Sequence, residues 1–202
     1  MLVKKRKQGL MTIKRALIYK IFTKIPIIET ERLTLRRMRA DDAEDMYEYA
    51  SQKEVTEYLT WFPHPDVRYT RDYLEYLGTR YRVGDFFDWA ITLRDTGKMI
   101  GTCGFTSFDY SNDCAEMGYV LNPEYRGRGI APEALRAVMK FGFDNLGINR
   151  AEAKFIEGND ASRRVMEKVG MSFEGIRRGG MLIKGKYRNI GICAILRDEF
   201  YG

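Results

Sequence analysis

The sequence predicts a mixed α/β domain of the α+β kind, and three stretches carry that prediction. Residues Glu116 to Ala134 run from an apolar, aromatic segment ending at Asn122-Pro123, through a turn rich in glycine and arginine, into apolar residues at helical spacing: Ala134, Leu135, Val138, Met139 and Phe143. Phe86 to Arg94 and Met99 to Phe108 read as two strands joined at Asp95-Thr-Gly97, a hairpin turn. Downstream, Arg150 to Glu157 reads as a strand. A helix then runs through Val165, Met166 and Val169 to a stop at Gly170, and two strands, Met171 to Ile176 and Tyr187 to Leu196, close the chain.

Composition bounds the rest. At 202 residues, 45% hydrophobic and 31% charged, the chain is an ordinary globule of one-domain size. Its three cysteines, Cys103, Cys114 and Cys193, are odd in number, widely spaced and form no CxxC pair. That argues against a disulfide frame or a zinc site and for a reducing compartment, so a cytoplasmic, metal-free protein is expected. No apolar run approaches the roughly 20 residues that span a bilayer.

The net charge of +6 is concentrated in one place, because residues 1–25 hold eight cations and no acid. Taking those eight from the 34 basic residues leaves 26 against 28 acids, so the remainder is slightly acidic and offers no general nucleic-acid surface. The basic start (Lys4, Lys5, Arg6, Lys7) precedes an amphipathic pattern with Leu10, Ile13, Leu17, Ile18 and Ile21 on one face. Such an extension suits a membrane surface, RNA, a second subunit in a homodimer, or its own domain. Lys14, Arg15 and Lys20 interrupt the apolar run, which argues against a secretory signal. The expected division is residues 1–25 as extension and 26–202 as one domain.

Within that domain, Leu33 and Leu35 alternate with polar residues as a half-buried first strand, and Asp41-Asp-Ala-Glu44 opens a helix carrying Met46, Tyr47 and Ala50. Trp61-Phe-Pro-His-Pro65 is a loop, followed by a tyrosine-rich helix with Tyr69, Tyr73, Tyr76 and Leu77. The resulting order is β-α-α-β-β-β-α-β-α-β-β.

The turn at residues 126–131 has the makings of an anion cradle. Gly127 and Gly129 let the backbone come close to a ligand, and the first free N–H groups of the following helix point at it. A Walker loop would need Gly-Lys-Ser/Thr, and a dinucleotide fingerprint would need glycine where Pro132 stands. The spacing Arg126-x-x-Gly129-x-Ala131 instead resembles the pyrophosphate loop of the GNAT superfamily of acetyl-CoA-dependent N-acetyltransferases. Two further anchors agree: the opening Glu29-Thr-Glu-Arg-Leu-Thr-Leu-Arg, and Asn159-Asp-Ala-Ser-Arg-Arg-Val-Met-Glu-Lys-Val-Gly-Met-Ser-Phe-Glu-Gly175. Both are similar to the ribosomal-protein (alanine/serine) N-terminal acetyltransferase branch, and the resemblance covers about Glu29 to Glu199.

This resemblance implies a mostly antiparallel seven-stranded sheet, splayed at its centre, with helices on both faces. Acetyl-CoA would be the co-substrate, its pyrophosphate held at Arg126, Gly127, Arg128, Gly129, Ile130 and Ala131. Its pantetheine arm would pair with Tyr119, Val120 and Leu121, where a strand N–H could meet the charge developing on the thioester oxygen. Gly118 is a candidate bulge that frees those donors. Glu116 is implied as general base, and Ser162 as proton donor to the leaving thiolate, with Asn159 on the pantetheine; both also suit a helix cap. Tyr187 is a second candidate acid. His64, the single histidine, is a base candidate on pKa grounds or an exposed loop residue. Three positions depart from relatives: Met181 and Lys154 stand where some carry glutamate, and Met166 where some carry tyrosine.

The expected activity is direct acetyl transfer to a primary amine, first a protein N-terminus such as that of a ribosomal protein, second a small amine such as a polyamine, amino acid or aminoglycoside. The rival readings are a non-catalytic acyl-CoA-binding module and a membrane-surface protein anchored by residues 1–25.

Overall fold

A computed structural model describes the backbone of residues 2–202 and the side chains of residue 9 and of 11–202. Its strands are β1 (Ile28–Glu29), β2 (Leu33–Arg36), β3 (Phe87–Leu93), β4 (Met99–Asp109), β5 (Cys114–Leu121), β6 (Arg150–Ile156), β7 (Ser172–Ile183) and β8 (Lys186–Leu196). They form one sheet in the order β1-β2-β3-β4-β5-β6-β8-β7. Every neighbouring pair is antiparallel except β5 and β6, which run parallel. The eighth strand beyond the seven expected is the two-residue β1 at the edge. β7 also runs past Ile176 to Ile183, because bulges beside Gly175 and between Arg177 and Met181 let the long hairpin stay paired.

The helices are α1 (Leu2–Phe22), α2 (Ala43–Ala50), α3 (Lys53–Thr56), α4 (Val67–Val83), α5 (Ile130–Phe141), α6 (Asp160–Lys168) and α7 (Arg197–Tyr201). None of those described is long and apolar enough to cross a membrane. They divide between the two faces because strand side chains alternate. Trp89 and Ile91 of β3 face a core completed by Leu135 and Val138 of α5 and Met166 of α6, while Ala90 between them faces Met46 and Tyr49 of α2 and Leu74 of α4. In α5 the fully buried Ala134, Leu135, Val138 and Met139 recur at helical spacing, so one stripe docks on the sheet and fixes the helix start above the end of β5. Asp66 caps α4 by accepting the Tyr69 N–H at 2.7 Å, and the helix stops at Gly84.

The basic extension meets the domain through its last turns. Ile18 and Phe22 are buried in the α5-side core, and Phe22 packs edge-on against Trp89 with ring centroids 5.2 Å apart. Lys14 bonds the Asp113 carboxylate. Ile13 and Leu17, expected on the apolar face, are 69% and 55% exposed, because at i and i+4 they share a face turned away from the one that carries Ile18 and Phe22. The side chains of Lys4, Lys5, Arg6, Lys7 and Leu10 lie outside the described residues.

Candidate active site

The turn after β5 is lined by backbone N–H groups suited to an anion. Asn122 accepts the Glu124 N–H at 3.1 Å and stops the strand in a single 3-10 turn, Pro123–Tyr125. Gly127 (φ 78°) and Gly129 (φ 77°) then take left-handed conformations that a side chain would strain, and α5 begins at Ile130. No backbone carbonyl among the described residues takes the N–H groups of Gly127 to Ala131, so these donors converge unpaired beside the positive end of the α5 dipole. A diphosphate suits such donors, and the space beside Gly127 is open, since a Cβ placed there would meet nothing within 4 Å. The guanidinium of Arg126 borders the cavity, 3.8 Å from Glu54. The Arg128 side chain lies over the Tyr125 ring, 5.4 Å from its centroid, and is not part of the cavity wall.

A brace holds this turn from outside. The Arg32 guanidinium bonds the Arg128 carbonyl oxygen at 2.8 Å and the Glu133 carboxylate at 2.5 Å, and the Thr30 hydroxyl reaches the same carboxylate at 2.6 Å. Burial opposes the charge on Glu133, but the Thr30 and Arg32 donors outweigh it and hold its carboxyl below the usual range. Neither contact is marked by a motif; strand and helix meet only once the chain has folded.

Beside the cradle the sheet opens. β5 and β6 pair from Cys114↔Arg150 only as far as Met117↔Ala153. Beyond that, β6 follows β8 to Ile156↔Ile190, while Gly118 to Leu121 stay with β4. The edges of Tyr119, Val120 and Leu121 therefore face a cavity of about 1240 Å³ instead of a neighbouring strand. Gly118 is not the bulge. It pairs regularly with Gly104, and the extra residue is Thr106 on β4, whose methyl would sit 2.8 Å from any Cβ at Gly118.

The side chains implied as catalytic separate into three that border the cavity and one that does not. Ser162 lies at the start of α6, capped by Asn159, whose side-chain oxygen accepts the Ser162 N–H at 3.2 Å. Its hydroxyl meets the Tyr119 phenol at 2.9 Å, and that phenol donates to the Ser162 carbonyl oxygen at 2.8 Å. Burial pushes the Tyr119 phenol up and keeps it protonated, so two hydroxyl groups stand together on the cavity wall. The side chain of Tyr119 was missed in the sequence, where only its backbone was read. Glu116 borders the cavity with its carboxylate 2.5 Å from the Lys154 ammonium. Lys154, at a position where some relatives carry an acid, is opposed by burial but stabilised further by that contact, which raises its pKa. Tyr187 is 77% exposed at the β7–β8 hairpin, opposite Leu182 and outside the cavity wall. It is not placed to protonate a thiolate.

His64 is buried, not an exposed loop residue. Its Nδ1 meets the Thr70 hydroxyl at 2.9 Å, and rings of Trp61, Tyr69 and Tyr73 stand 4.9–5.7 Å away. Burial lowers its pKa, so the imidazole is neutral. Because Thr70 donates to the Asp66 carbonyl oxygen at 3.3 Å, it receives from Nδ1–H, which leaves Nε2 as the basic nitrogen.

A splayed sheet with a free-amide cradle at its mouth defines an acyltransferase that draws on an acyl-CoA thioester. The comparisons make that class specific: residues 32–172 match the family model of the acetyltransferase (GNAT) domain, and the chain belongs to that family of N-acetyltransferases. It is 35% identical over 173 residues to the uncharacterized N-acetyltransferase p20 of Bacillus licheniformis, covering 86% of this chain and 97% of that protein. It is 24% identical over 166 residues to the spermidine N(1)-acetyltransferase of Escherichia coli K12, covering 82% and 87% respectively. The fold is shared with the ribosomal-protein-S5-alanine acetyltransferase of Vibrio fischeri at a TM-score of 0.72, with 20% identity, 87% of this chain and 98% of that one. Acetyl-CoA is the acetyl donor of the family, consumed as a substrate. Among the described residues no cluster of three or more His, Cys, Asp or Glu could hold a metal ion.

Proposed function

We propose that the enzyme transfers acetyl directly from acetyl-CoA to a primary amine while both are bound. The observation that carries this reading is the end of β5–β6 pairing at Met117↔Ala153, next to a turn with five unpaired amides. The cradle would grip the diphosphate, and the open edge at Tyr119 to Leu121 would take the pantetheine amides as a strand would. A backbone N–H there would face the thioester oxygen as the amine attacks and charge builds on it; one fixed donor of this kind is worth about 3 kcal/mol. The paired hydroxyls of Tyr119 and Ser162 would supply the departing sulfur, and Glu116 would accept a proton from the attacking nitrogen.

For the acceptor, the relatives point to a protein N-terminus and to a polyamine. A small amine is favoured by the buried, ring-lined end of the cavity around His64. The test is thiol release from acetyl-CoA against an amine panel: peptides beginning with Ala and Ser, spermidine, and apolar monoamines. Amine-dependent release with one group supports the reading and names the acceptor. Binding of acetyl-CoA with no release by any amine would mark a non-catalytic acyl-CoA module instead.

A further inference from the structure

On the sheet face beneath α2 and α4, Asp88 of β3, Gly104 of β4 and Gly118 of β5 lie in one row. Side chains of facing antiparallel residues share a face. The Asp88 carboxyl lies across Gly104, where an added Cβ would stand 2.7 Å from its Oδ1. Gly118 is two strand spacings from Asp88, about 10 Å. Glu116, two residues before Gly118, projects to the same face, so two acids flank the place where the thioester would lie. They differ in company. Glu116 is neutralised by Lys154, whereas Asp88 has no cationic partner among the described residues and bonds only the Trp89 N–H, at 3.0 Å, and the Thr102 side chain. Half-buried in the cavity wall, its carboxyl is pushed by burial up to about 7.

The same cavity wall includes Tyr49 of α2, which is 0% exposed and whose hydroxyl has no hydrogen-bond partner. A buried hydroxyl left without a partner is a cost that proteins rarely carry without use. It stands near enough to Asp88 to feel its charge yet does not bond to it. An acid lacking a cation in the wall of a cavity, close to a phenol oxygen lacking a donor, matches the needs of an ammonium group. The rings of Trp61, Tyr69 and Tyr73, grouped around His64 in the wall of the same cavity, suit an apolar body.

We propose that Asp88 and Tyr49 form the receptor for the acceptor's ammonium group, and that the acceptor is a primary monoamine on an apolar or aromatic stem. This rests on the reading of the chain as a direct-transfer amine acetyltransferase. One unpartnered acid serves one positive charge; the other acids of the cavity wall, Glu116 and Glu54, already face Lys154 and Arg126, which leaves none free for the further charges of a polyamine. The two carboxylates also match the proton count. The bound ammonium gives its first proton to Asp88 and becomes a nucleophile. Its nitrogen then bonds the acetyl carbon as the carbon–sulfur bond breaks, and the second proton passes to Glu116. The thiolate takes a proton from the Tyr119–Ser162 hydroxyls, which solvent replaces, and Asp88 and Glu116 return theirs to solvent. One proton is released per acetyl transferred.

Isothermal titration of the full chain, preloaded with CoA, with phenethylammonium chloride and with 2-phenylethanol tests this directly. The ammonium is expected to bind at least about tenfold more tightly than the alcohol, and Asp88→Asn and Tyr49→Phe each to weaken it about tenfold or more. CoA affinity should not change in either variant. Tyr49→Phe removes a hydroxyl with no protein partner, so its melting temperature should stay level or rise while the ammonium is lost. In thiol-release assays Asp88→Asn should raise KM for phenethylamine with KM for acetyl-CoA unmoved. Equal ammonium binding by wild type and Asp88→Asn, no ammonium binding by wild type, or preference for spermidine each overturns the receptor. Ammonium binding that depends on Asp88, with no thiol release from any amine, supports the receptor and removes direct transfer instead.

Discussion

Replacing Asp88 with Asn should make the protein's stability less sensitive to pH, in a direction and over a window that the structure sets. The Asp88 carboxyl, raised by burial from 3.8 to about 7, holds its proton more tightly when folded than when unfolded. The stability it contributes is therefore fully present below pH 3.8 and is lost as pH rises towards 7. One proton of difference corresponds to about 1.4 kcal/mol per pH unit, with cavity water making this a ceiling. Between about pH 5 and pH 7 the wild type should lose about 2.3 kcal/mol that the Asn variant keeps, and above about pH 7.5 the two curves should run level with one another. The groups that face Asp88 do not titrate in this window: burial raises Tyr49 of α2, Tyr73 (to about 12) and Tyr81 of α4, and Cys103 of β4. His64 is lowered in both proteins and cancels in the comparison. Urea unfolding followed by fluorescence, which includes the fully buried Trp89, gives the two free energies at each pH by linear extrapolation. Parallel wild-type and variant curves from pH 5 to pH 7 would show that the carboxyl is ionised in the folded state and refute the reasoning.

Gly129→Ala forces a side chain into φ 77°, so it should cost about 1–2 kcal/mol of stability and lower CoA affinity about tenfold by calorimetry. Glu116→Gln should reduce kcat about 100-fold or more with CoA affinity unchanged. Tyr187→Phe, on the exposed hairpin, should leave both kcat and KM at wild-type values in the thiol-release assay. Phe22→Ala empties a ring site against Trp89 and should cost about 3–5 kcal/mol in denaturant unfolding; a negligible loss would show that α1 is dispensable to the domain.

The parts of the site that sequence reading reaches are those made by local chain geometry. Two glycines, five and three residues before a proline, mark a tight turn into a helix, and they adopt the left-handed conformations that purpose requires. Asn159 and Ser162 likewise carry their capping relation in their spacing. What stays hidden depends on register. That Lys154 lands on Glu116 follows from a parallel pairing with β6, and nothing in either segment states which residues will face each other. Asp88 did leave a trace: it precedes Ala90 and Thr92 at strand spacing, an acid in a row that the helices cover. The opposite error arose at Tyr187 and at Ile13 and Leu17, where residue type suggested a role and position on the sheet or helix withheld it. Gly118 was misassigned for a similar reason, since a glycine that makes room for the Thr106 methyl reads the same as one that bulges.

The Arg32–Glu133 brace ties together residues about a hundred positions apart, and this has a bearing on biosynthesis. A nascent chain that has completed β5 and α5 possesses every amide of the nucleotide turn, yet that turn is clamped only after the amino-terminal strand has swung back onto the helix. On the proposed function, acetyl-CoA would favour chains whose amino-terminal strands have docked on the helix over those in which they have not, through mass action.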